Sequence, residues 1–162
     1  MAVTDDIVAT YRGPGRVASR LLAGERHEAR PLAYLLAALG LIIVAQAPGL
    51  SRAAYLEPAT PFFHRLMATA LAMGAMLPVF YGLAALSHLA MRLAGGRGDW
   101  FGARIALFWA LLAVAPLMLF QGLVTAFVGP GPGAQVTGIV VFAVFLWFWI
   151  AGLKEAEFGE RA

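Results

Sequence analysis

The chain has 162 residues, 61% of them hydrophobic and 13% charged, with a net charge of +3 at neutral pH and a mean hydropathy of +0.78. This balance excludes an ordinary water-soluble domain and points to one membrane-embedded domain. Zero cysteines exclude disulfides, thiolate metal sites and a cysteine nucleophile. The arginines flank apolar runs and form no separate basic face, which argues against nucleic acid as a partner.

Residues 1–30 are too charged for a secretory signal, because the first apolar run begins at Leu32 behind five arginines. Thr4 is placed to cap a short helix carrying Asp5 and Asp6 at its favourable end, and Gly13-Pro14-Gly15 is expected to stop it. A second short helix, from 16 to about 28, puts Val17, Leu21 and Leu22 on one side and Arg16, Arg20 and Arg26 around the rest. That is the pattern of an amphipathic helix lying in the membrane interface; a solvated charged leader is the competing reading.

Pro31 suits the first turn of a helix, and a first span is expected over about 32–50, ended by Pro48-Gly49. A re-entrant helix is the alternative for so short a run. The connector 51–61 reads as an interfacial loop or a single helical turn. A second span over about 62–93 would reach ~48 Å at 1.5 Å per residue, so it must tilt, kink at Pro78 or project from the bilayer. Small residues at Ala68/Ala72 and Ala70/Gly74 allow close helix packing.

The polar hinge Gly95-Gly96-Arg97-Gly98-Asp99-Trp100 follows, with Asp99 as N-cap of a third span over about 100–128 that carries Pro116 near its middle. The run 129–133 alternates glycine and proline and must turn. A fourth span over about 134–153 ends in Phe145, Trp147, Phe148 and Trp149 before Lys154, an interfacial anchor. The fold class expected is therefore all-α: a four-span membrane domain over 31–153, a cytoplasmic or interfacial segment over 1–30, and a short charged tail over 154–162. Ten of the twelve basic residues fall on the side of the termini and hinge, which makes that side cytoplasmic. Richness in Ala, Gly, Leu and Arg points to a bacterial source and hence to the inner membrane.

No span carries Asp, Glu, Lys or Arg over 66–86, 105–128 or 133–153, so the charged relay of an ion-coupled pump is missing. Gln121 and Thr125 are candidate intramembrane polar contacts, more simply read as helix-to-helix hydrogen bonds. His64 and His88 are the residues a haem or metal would use, but they lie on one helix, ~36 Å apart, and read as interfacial histidines. No cofactor is expected. Ser87 and His88 are adjacent on a helix and diverge by about 100°, which disfavours a hydrolytic pair. Gly96-x-Gly98 follows no strand and precedes no Lys-Ser/Thr, so it is no phosphate loop.

The segment 95–101, followed by an apolar helix with Ala115-Pro116-Leu117, resembles the core pattern of the Yip-one (Ypt/Rab-interacting protein) membrane domain. In that family a Gly-Gly-x-Gly-polar-aromatic turn joins two long helices, the later one with a mid-membrane proline. The resemblance covers roughly 14–153 and makes Gly95, Gly96, Gly98, Asp99, Trp100 and Pro116 the motif residues. Family domains usually have five spans, and four are read here. The resemblance implies a membrane-embedded scaffold associated with trafficking or membrane organisation. The function expected is a non-enzymatic scaffold or accessory subunit acting through helix packing with other membrane proteins or through lipid organisation, with the lipid bilayer, other membrane proteins or a second copy as partners. Pro-kinked second and third spans leave a small-solute transporter or channel component as the alternative.

Overall fold

The computed structural model describes residues 2–129 and 131–159. Seven helices run in chain order: α1 Val3–Thr10, α2 Pro14–Ala23, α3 Ala29–Leu56, α4 Phe62–Ala75, α5 Leu77–Leu93, α6 Trp100–Val128 and α7 Pro132–Phe158. No strand occurs among the described residues. Four spans are long and apolar enough to cross a bilayer: α3, α4 with α5, α6, and α7.

The central element is α6. From Phe101 to Ala115 every residue but Arg104 is buried, because α1, α2, α3, α5 and α7 all pack against this half. A helix that is apolar all round needs such enclosure or lipid, and α6 uses one for each half. Full enclosure ends at Pro116, and beyond it α6 is half-buried against α3 and α7 on one side and exposed on the other.

Cross-helix contacts give the depth of the bundle. Tyr34 meets Trp109, Tyr81 meets Phe108 and Tyr11 meets Phe148, so five helices share one aromatic level. At the far end Arg52 donates to the Ala126 carbonyl at 3.0 Å. Tyr34 to Arg52 is about 27 Å of helix and Trp109 to Ala126 about 25 Å, close to the ~30 Å hydrocarbon core. The aromatic level therefore marks one edge of the hydrocarbon. On its outer side the spans continue into a second layer that also holds the hinge, about 12 Å deep along α6.

Several boundaries differ from the sequence expectation, beginning with α1, which starts at Val3 behind Ala2 and is not capped by Thr4. The first span does not end at Pro48-Gly49 but continues to Leu56. A proline inside a helix costs ~3 kcal/mol, less than opening several backbone groups to hydrocarbon at several kcal/mol each. In the second span the helix breaks at Met76, two residues before Pro78. The short helix expected to start at 16 begins with Pro14 at its first turn and ends at Ala23. Gly24 leaves the helix there and Arg30 takes up the Leu21 carbonyl at 3.1 Å. Its apolar face, Val17, Ala18 and Leu21, is buried on the bundle instead of in lipid. Finally, the fourth helix runs past Leu153 to Phe158, and its last turn is pinned by the hinge.

Candidate functional site

The hinge begins as a helix terminator. Gly95 adopts φ +90°, Gly96 N–H donates to the Met91 carbonyl at 2.8 Å and Gly95 N–H to the Arg92 carbonyl at 3.1 Å. These two bonds form a Schellman motif, which favours glycine at the left-handed position. Three residues later the chain re-enters a helix at Asp99, whose carboxylate accepts the Gly102 N–H at 2.8 Å and pairs with Arg26 at 2.8 Å.

Between these two ends sits Glu157, from the last turn of α7. Its side chain is fully buried against His88, with His88 Nδ1 2.5 Å from Glu157 Oε1. The other carboxylate oxygen accepts the Gly98 N–H at 2.9 Å, and the Glu157 carbonyl accepts the Arg97 N–H at 2.8 Å. Trp100 closes the cluster, its ring centroid 4.5 Å from that of His88. One carboxylate thus ties together the end of α5, the hinge and the end of α7. A Cβ on Gly98 would overlap the Glu157 carboxylate, and one on Gly96 would lie 2.9 Å from it. The two glycines admit the acid.

The neighbouring layer is stitched in the same way. Arg104 pairs with Glu28 at 2.7 Å, Arg26 lies over the Phe101 ring, and Arg20 pairs with the buried Asp6. Trp109 donates its indole N–H to the Thr10 hydroxyl at 3.1 Å. Tyr11 donates to the Ala113 carbonyl at 3.0 Å, and burial pushes its phenol above the usual value of 10.

The structure gathers Gly95, Gly96, Gly98, Asp99 and Trp100 into this cluster, while Pro116, Gln121 and Thr125 lie along the other half of α6. There α3 and α6 enclose a groove of about 380 Å³ lined by Gln46, Gln121, Gly122 and Thr125. Thr125 bonds back to the Gln121 carbonyl at 3.0 Å, and the Gln121 amide faces Gly138 of α7. At Gly122 the helices touch so closely that a Cβ would overlap the Ala45 carbonyl.

His64 is exposed. His88, expected at the interface, is instead enclosed by Glu157 and Trp100. Among the described residues no three His, Asp or Glu side chains form a metal-binding group. Sequence reasoning missed Glu157 altogether and placed it in the short charged tail. The one signal it carried was an acid in a helix's last turn, where the dipole disfavours it unless a specific partner holds it.

No curated protein and no solved structure matches the chain. The Yip1 domain model matches residues 9–161, which takes in the hinge, His88, Glu157 and every span, and the chain belongs to the Yip1 domain family.

Proposed function

We propose that the chain acts as a non-enzymatic membrane scaffold or accessory subunit, rigid at the hinge end and open to partner helices along the rest of its spans. The observation that carries this reading is uneven burial. Half of α6 is sealed within the protein, whereas no residue of α4 is buried. Phe63, Met67 and Leu71 of α4 are exposed, and Ala68/Ala72 and Ala70/Gly74 let another helix approach closely. The basic residues favour a cytoplasmic hinge layer with both termini on that side, consistent with a bacterial inner-membrane protein.

Native mass spectrometry of protein gently extracted from its own membrane tests the reading, paired with photo-crosslinkers placed at Leu71 and at buried Ala38. A defined protein partner or homo-oligomer, crosslinked from position 71 and not from 38, is the expected result. A monomer crosslinking to lipid alone would sink the scaffold reading. The groove lined by Gln46, Gln121 and Thr125 favours the second reading, a small-solute transporter or channel component. Solute flux into liposomes containing only this protein would move the assignment there.

A further inference from the structure

We infer that the elbow between α1 and α2 binds the phosphate headgroup of an anionic phospholipid, from the leaflet at the hinge end. A cleft of about 480 Å³ lies at this elbow, lined by Asp5, Val8, Arg12, Arg16, Val17 and Arg20 among others. Two of its charged groups, Arg20 and Asp5, already interact within the chain. Arg20 pairs with Asp6, and the Asp5 carboxylate accepts the Ala2 N–H at 3.4 Å. The exposed Arg12 and Arg16 side chains have no ion pair or hydrogen bond among the described residues. Arg16 folds back across Gly13, where a Cβ would lie 3.5 Å from its Nε. The positive end of the α2 dipole lies at the same elbow, capped by Gly13 with Pro14 in its first turn.

Depth decides between a lipid and a free anion. Thr10 bonds to Trp109 at the aromatic edge of the hydrocarbon, while the Tyr11 phenol reaches inward to Phe148 and Ala113, so Arg12 stands at headgroup height. Val8, one helical turn before Arg12, is exposed and adds an apolar wall to the cleft. A site that is apolar on one side and cationic on the other suits an amphipathic ligand. Guanidinium groups bind phosphate oxygens through paired hydrogen bonds, and juxtamembrane arginines gain further from an anionic surface.

The test uses full-length protein in nanodiscs of mixed phosphatidylglycerol and phosphatidylcholine, with retained lipid counted by native mass spectrometry after transfer to detergent. Wild type should retain one phosphatidylglycerol. R12Q/R16Q should lose about tenfold or more of that retention, R12K/R16K, which keeps the charge but not the paired donors, should fall between, and R92Q should match wild type. Equal retention in R12Q/R16Q, or an equal loss in R92Q, would overturn the assignment. So would complete release of the lipid by millimolar inorganic phosphate, which would identify the ligand as a free anion. Because Arg12 and Arg16 are exposed, unchanged melting temperatures should show that the variants are folded; a double variant that melts early is replaced by R12Q and R16Q singly.

Discussion

Glu157 is a single carboxylate that satisfies His88, the Gly98 N–H and the packing of two glycines. Removing one member of a buried, hydrogen-bonded pair costs ~3–5 kcal/mol, because the group left behind has no water to replace its partner. Glu157→Ala should therefore lower thermal stability in detergent far more than an exposed substitution such as Lys154→Ala, while Glu157→Gln, which keeps an acceptor for Gly98, should fall between them. Gly98→Ala should cost at least ~1–3 kcal/mol, because its methyl group must displace the carboxylate. A Gly98→Ala protein as stable as wild type would show that Glu157 does not enter the hinge. Tyr11 supplies a test by pH. Its neutral form is favoured in the folded protein, so its stabilising effect is complete below pH 10 and is lost as pH rises through its raised value. Tyr11→Phe should flatten the alkaline fall in melting temperature.

At the level of helices, the tightest approach at any described glycine is α3 against α6 at Ala45 and Gly122. A glycine in a helix interior costs ~1 kcal/mol relative to alanine, and here it allows backbone contact that no larger residue permits. Gly122→Leu should push the turn-end halves of α3 and α6 apart and leave the hinge layer intact. The measurement is hydrogen exchange by mass spectrometry: faster exchange confined to the two helices around Ala45 and Gly122 is expected, and unchanged exchange there would contradict the packing. The helix ends follow a similar logic. Pro48 was expected to end the first span because proline breaks helices in water, but in hydrocarbon the backbone has no better partner than the helix itself. The α7 end extends for a different reason, since Glu157 and Ala156 are buried against the hinge.

Across the whole molecule, the two-layer arrangement makes an orientation test direct. The chain has no cysteine, so single thiols report cleanly. Lys154→Cys in the hinge layer should resist a membrane-impermeant thiol reagent in intact cells, and Tyr55→Cys, 84% exposed at the other end, should react. The reverse pattern would invert the topology proposed from the arginine distribution.

Membrane embedding, the number of spans and the hinge were legible in the residues themselves, because an uncharged run long enough to cross a bilayer has few other uses and a glycine-rich polar break must lie near its surface. Asp99 as a helix cap was legible for the same local reason, and Gly95 likewise fits a helix end. What tertiary structure alone decided is which residues meet across the chain: Glu157 with His88 and Gly98, Arg26 with Asp99, the α1–α2 elbow with Phe148 and Ala113, and Gly122 with Ala45. Hydropathy and periodicity describe each segment against its solvent. These contacts join residues far apart in sequence, and their stability comes from excluding solvent and satisfying buried polar groups once the helices are together.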